Sequence, residues 1–124
     1  MDSKIKEQIE NNINSNDVFL FMKGTPEAPQ CGFSGMVCGV LKKFDVAFNH
    51  CNILENNDIR EGIKEFSDWP TIPQLFIKGE FVGGSDIVKE MVDSGEIVEL
   101  FESKKIKHSY SKEKIEEGIP HFNE

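Results

Sequence analysis

The chain has 124 residues and a formal net charge of −8 at pH 7, enough for one domain with a real core and too little for two. So acidic a chain has no basic stripe to displace counterions from a polyanion, which excludes nucleic acid and anionic membrane surfaces as partners, and no apolar run is long enough to span a bilayer. Three cysteines, Cys31, Cys38 and Cys51, without framework spacing fit a reducing compartment, and the first ten residues mix acids with bases and lack an apolar or Arg-rich leader, so the chain reads as cytoplasmic.

Ile5, Ile9 and Ile13 recur every four residues, which predicts a short helix with one apolar stripe, ended by Asn14-Ser15-Asn16-Asp17. Val18-Phe19-Leu20-Phe21-Met22 is a continuous apolar run between turn residues, the pattern of a central strand covered on both faces. A Pro-rich loop then delivers Cys31 to the start of a second helix, which runs to about Phe44 and packs Met36, Val37, Val40 and Leu41 on the sheet. Ala47 to Ile53 is expected as a second strand, diluted by Asn49, His50 and Asn52. Asn57-Asp58 supplies the N-cap of a third helix, in which Ile59, Ile63 and Phe66 face the core while Arg60 and Lys64 share a neighbouring face. Trp69-Pro70-Thr71-Ile72-Pro73 stops that helix, with Pro73 a candidate for a cis bond, and feeds the strand Gln74 to Lys78. Gly79-Glu80 turns the chain into a short antiparallel strand, Phe81-Val82. Gly83-Gly84-Ser85-Asp86 opens a fourth helix that buries Ile87, Val88, Met91 and Val92; Gly95 breaks it, and Ile97, Val98, Leu100 and Phe101 mark one more. From Ser103 onward apolar residues thin out and charges alternate, so residues 1–102 are expected as the domain and 103–124 as a polar tail, poorly ordered or at most a frayed helix. The order α-β-α-β-α-β-β-α describes an α/β protein with a sheet of mixed strand direction.

The chemistry gathers at Cys31. A helix start offers unpaired backbone N–H groups and the positive end of the macrodipole, and Lys23 adds a full charge from across the loop, so Cys31 is expected to titrate below a free thiol. Ser34 stands where a Cys-x-x-Cys motif carries its second thiol. A hydroxyl cannot resolve a mixed disulfide, so dithiol cycling inside this loop is excluded and Cys31 needs an external thiol. Cys38 lies roughly 10 Å further along the helix axis, beyond disulfide reach, and reads as core. Cys51 reads as a small strand hydrophobe and Trp69 as a plug beside the prolines. Arg60 and Lys64, taken alone, are a solvated face, and His50, His108 and His121 make no zinc pattern with the cysteines.

Cys31-Gly32-Phe33-Ser34, preceded by Lys23-Gly24-Thr25-Pro26 and followed by Trp69-Pro70-Thr71-Ile72-Pro73-Gln74-Leu75 and Gly83-Gly84-Ser85-Asp86, closely resembles the CGFS class of monothiol glutaredoxins, over roughly Met1 to Phe101. Four motifs in the right order make the match specific. The resemblance implies a thioredoxin-like (glutaredoxin) fold with a four-stranded mixed sheet flanked by helices, a bound glutathione, and a [2Fe–2S] cluster held between two subunits. It also implies work in iron–sulfur cluster storage and delivery to apoproteins, often with a BolA-like partner. By the same resemblance the glutathione site comprises Lys23, Cys31, Phe33, Arg60, Thr71, Ile72, Pro73, Gly84, Ser85 and Asp86, and Cys31 is both the catalytic residue and the cluster ligand. Lys23 and Arg60 face the glycine carboxylate, the backbone beside Thr71 pairs with the cysteinyl part, and the N–H groups at Ser85 and Asp86 bind the γ-glutamyl carboxylate while the Asp86 side chain pairs with its amine. Ser85 departs from the family, whose members commonly carry a cysteine there, and the tail after Ser103 lies outside the match.

A [2Fe–2S] cluster wants four thiolates, and this chain has no four cysteines to give, so one Cys31 and one glutathione from each of two chains would complete the set in a homodimer. The alternative is a glutathione-dependent oxidoreductase in which Cys31 attacks a glutathionylated protein and a second glutathione regenerates it. The long Thr25 to Gln30 loop favours the carrier, because it hinders approach of a mixed disulfide and leaves oxidoreductase activity weak. A docking module that performs no chemistry is the third class.

Overall fold

The structure is a computed structural model that describes residues 1–109, and expectations for residues 110–124, His121 among them, lie outside the described residues. Nine elements follow in chain order: α1 (Ser3–Asn14), β1 (Val18–Met22), α2 (Gly32–Lys43), β2 (Asn49–Asn52), α3 (Asn57–Ser67), β3 (Gln74–Ile77), β4 (Glu80–Gly83), α4 (Ser85–Ser94) and α5 (Glu96–Ser103). The sheet order is β2-β1-β3-β4, with β2 parallel to β1 and the other two neighbouring pairs antiparallel. This is the mixed α/β sheet expected, with β1 in its interior.

All five residues of β1 are buried because both its faces are covered. Val18, Leu20 and Met22 join Val37, Cys38, Leu41, Val88, Val98 and Phe101 of α2, α4 and α5 on one side. Phe19 and Phe21 join Ile9, Ile13, Ile59 and Ile63 of α1 and α3 on the other. Alternation along one strand therefore assigns residues to two cores. The Phe21 and Phe76 rings meet edge-on at 5.7 Å, bracing the second core across β1 and β3.

Several boundaries differ from the sequence reading for local reasons. β2 is shorter than Ala47 to Ile53. Ile53 N–H still donates to Met22 O at 2.9 Å, but the Asn52 carboxamide oxygen accepts from Leu54 N–H at 3.1 Å and turns the chain out of the sheet. The N-cap of α3 is Asn56, whose Oδ1 accepts from Ile59 N–H at 3.1 Å, rather than Asn57-Asp58; Asp58 sits in the first turn, where its charge suits the dipole. Cys31, read from the sequence at the start of α2, is its N-cap. The hairpin turn is Lys78-Gly79, both at positive φ, which is the twist a two-residue connection needs.

Beyond α5, Ile106 is buried, Ser109 N–H donates to Phe44 O at 2.9 Å, and Lys104 pairs with Glu80, so residues 104–109 lie against the domain. No helix among the described residues is long and apolar enough to cross a membrane.

Candidate functional site

The site forms where β1 ends. Lys23 leaves the strand, and Gly24, at φ +90, turns the chain so tightly that a Cβ there would lie 2.6 Å from both Ala28 O and Gln30 N. Only glycine fits, on conformation and on space. The loop closes on itself: Gln30 N–H donates to Lys23 O at 2.9 Å, Ala28 N–H to Thr25 O at 3.0 Å, and Lys42 Nζ reaches back from α2 to Pro26 O at 2.7 Å. The Asn52 carboxamide oxygen takes Gly24 N–H at 2.9 Å as well as Leu54 N–H, tying this loop to the end of β2. Asn52 was readable from sequence only as a residue that weakens a strand. Its partner, Gly24, is 28 positions away, and no local signal announces the bond.

Cys31 is extended, at φ −155 and ψ 135, and partly exposed. Burial pushes its thiol pKa up, but the backbone N–H groups of Ser34 and Phe33, the Lys23 charge and the Ser34 hydroxyl together outweigh it, and the pKa ends below the ordinary thiol value. Ser34 is fully buried, and its Oγ accepts from Lys23 N–H at 3.0 Å. The hydroxyl in the place of a second thiol thus also anchors the start of the loop. The other cysteines are inert by comparison. Burial pushes the Cys38 thiol up to about 11, and its Sγ packs 3.5 Å from Met22 Sδ, while burial also raises Cys51.

A cleft of about 410 Å³ opens beside Cys31, lined by Lys23, Phe33, Arg60, Lys64, Pro70, Thr71, Ile72, Ser85 and Asp86. Eight of the ten residues expected from sequence line it. Pro73 and Gly84 stand one layer behind, against each other: a Cβ on Gly84 would lie 3.2 Å from Pro73 O and 3.2 Å from Trp69 Nε1. The Ile72–Pro73 bond is cis, as anticipated. Pro70 joins the lining unassigned, and Lys64, read from the sequence on the same helix face as Arg60, lines it as well. Phe33, 62% exposed, stands at the mouth. A larger cavity of about 490 Å³ at the other end of β1, lined by Asp17, Asp45 and Phe48 among others, contains neither a cysteine nor an arginine. Among the described residues no group of three or more His, Cys, Asp or Glu side chains is placed to hold a metal ion.

A thiol of lowered pKa at the mouth of a cation-walled cleft beside a cis proline is a recognisable assembly, and the glutaredoxin family model matches residues 18–82. The chain belongs to the glutaredoxin family. Within it, the chain is 51% identical over 110 residues to a probable monothiol glutaredoxin 2 of Rickettsia typhi, covering 87% of this chain and 99% of that one. It is 50% identical over 100 residues to monothiol glutaredoxin-4 of Schizosaccharomyces pombe, covering 81% of this chain but only 41% of that longer protein. The glutaredoxin fold is matched in solved structures too. A monomeric truncated mutant of Trypanosoma brucei 1-C-Grx1 superimposes with a TM-score of 0.79 at 42% identity, over 86% of this chain and 96% of that one.

Proposed function

We propose that this protein is a monothiol glutaredoxin of the CGFS class that binds glutathione in the cleft and carries a [2Fe–2S] cluster, as cargo, to iron–sulfur apoproteins. The observation that carries the reading is the cleft itself: one activated thiol, Cys31, beside Lys23, Arg60 and Lys64, with a buried hydroxyl, Ser34, where a resolving thiol would stand. Glutathione is an anion with two carboxylates and one amine, and the cleft offers complementary groups. Lys23 and Arg60 suit the glycine carboxylate, the extended backbone at Thr71-Ile72 suits the cysteinyl part, and the first N–H groups of α4 with the Asp86 carboxylate suit the γ-glutamyl end.

The donor set suits a cluster shared between two chains. Burial raises the thiol pKa of Cys38 and Cys51 while that of Cys31 is lowered, so each chain offers one activated thiolate, and two chains with two glutathiones supply four. The product is a homodimer closed by its cargo, and a BolA-like protein replacing one subunit is the related heteromeric form. The lowered pKa of Cys31 favours a second activity: its thiolate attacks the glutathione sulfur of a protein mixed disulfide and expels the protein thiolate, and a second glutathione thiolate then releases oxidised glutathione and restores Cys31. The Gly24 to Pro29 loop, tied down at both ends, restricts that approach and keeps the activity weak.

Anaerobic reconstitution with iron, sulfide and glutathione, followed by absorbance and size-exclusion chromatography, tests the reading. A coloured dimer that is lost when dithiothreitol replaces glutathione is expected, whereas a colourless monomer, or a stable chromophore formed without glutathione, overturns it.

A further inference from the structure

Gln74 and Ser34 are the fully buried polar side chains of the described residues. Gln74 opens β3 directly after the cis proline, and its position in the strand, two before Phe76, turns it toward the face covered by α1 and α3. Its Nε2 donates to Trp69 O at 3.0 Å and to Thr71 O at 3.2 Å. One carboxamide thus pins both residues flanking Pro70 from behind the cleft, which it does not itself line. Its Oε1 has no hydrogen-bond partner among the described residues. An unbranched apolar side chain of the same length would fill this space without burying a lone carbonyl, so packing does not account for an amide here. The two donated bonds do.

What they pin is the wall of the cleft. Thr71 and Ile72 line it, and Gly84, pressed against Pro73 O and the Trp69 indole, carries the start of α4 with Ser85 and Asp86. We infer that Gln74 is a positioning residue for glutathione: it fixes the backbone of Thr71-Ile72-Pro73 in the shape that receives the cysteinyl part of the ligand, and through Pro73 it sets the bed on which α4 presents its N-terminus. The inference rests on the glutathione reading of the cleft given above.

Two variants test it. Gln74→Met keeps length and volume but removes both donors, and Gln74→Glu keeps the shape while turning an acceptor toward two carbonyl oxygens. Titration calorimetry with reduced glutathione is expected to give affinities about tenfold weaker than wild type for both, the loss of roughly one net hydrogen bond. Alkylation of Cys31 by iodoacetamide, which does not use this loop, is expected to keep its rate and pH profile, with the circular dichroism spectrum unchanged. If the wild-type protein binds no glutathione, the reading of the cleft fails first and this inference with it. If wild type binds and a folded variant binds equally tightly, Gln74 does not position the ligand. Affinity lost only in step with the alkylation profile and the spectrum, or loss of the fold in both variants, marks a purely structural residue and overturns the proposal.

Discussion

At the residue scale, Cys31 owes its lowered pKa to groups within eight positions of it, which is why it was legible in the sequence. The N–H groups belong to its own helix start, and Lys23 returns across one short loop. Removing that cation takes away a stabiliser of the thiolate and none of the thiol, so Lys23→Met is expected to move the midpoint of Cys31 alkylation to higher pH. Iodoacetamide rates between pH 5 and 10 measure it, and an unmoved midpoint removes Lys23 from the account. The same shift gives the thiolate a stabilising role in the fold that is complete above the titration of an unfolded cysteine and is lost as pH falls through that of Cys31 in the folded protein. Ser34 was legible as a missing thiol but not as the acceptor for Lys23 N–H, a contact that spans 11 positions. Ser34→Cys therefore does two things. It puts a sulfur one helical turn from Cys31, and an internal disulfide is expected, read as two fewer titratable thiols after oxidation. It also exchanges a good acceptor for a poor one, at a cost of about 1 kcal/mol in urea unfolding of the reduced protein.

At the scale of elements, the helices and inner strands were legible because hydrophobic periodicity encodes them, whereas their ends depend on single polar side chains with distant partners. β2 stops where Asn52 turns to Gly24 and Leu54, and α3 starts at Asn56 because that amide, one place earlier than the predicted cap, reaches Ile59 N–H. Asn56→Ala is expected to cost about 1 kcal/mol of stability without altering Cys31 alkylation. Gly24→Ala is a different kind of change. Its methyl meets backbone rather than a yielding side chain, at a φ that alanine avoids, so more than about 1 kcal/mol of stability is expected to go. The loop carrying Cys31 must move to accept it, so alkylation should change as well. A Gly24→Ala protein with wild-type melting and wild-type alkylation would show that the tight turn is dispensable.

For the whole molecule, β1 is the wall shared by two cores, and the sequence announced this in five consecutive apolar residues. Which helices cover which face was not legible, since that depends on crossover connections rather than on local pattern. Because one strand serves both cores, damage to either should unfold both. Phe21→Ala, which removes a fully buried ring, is expected to lose about 3–5 kcal/mol, with fluorescence of Trp69 and circular dichroism lost at one urea concentration. Two separated transitions would mean that the cores are independent. The margins of the sheet are built differently from its interior. β2 reads Asn-His-Cys-Asn, and β4 is thrown out of register by an irregularity between Leu75 and Phe76 of its neighbour and ends at Gly83. Short, polar or kinked margins are poor templates for strand addition. Copies of this chain are thus discouraged from joining edge to edge into open-ended stacks, even when concentrated.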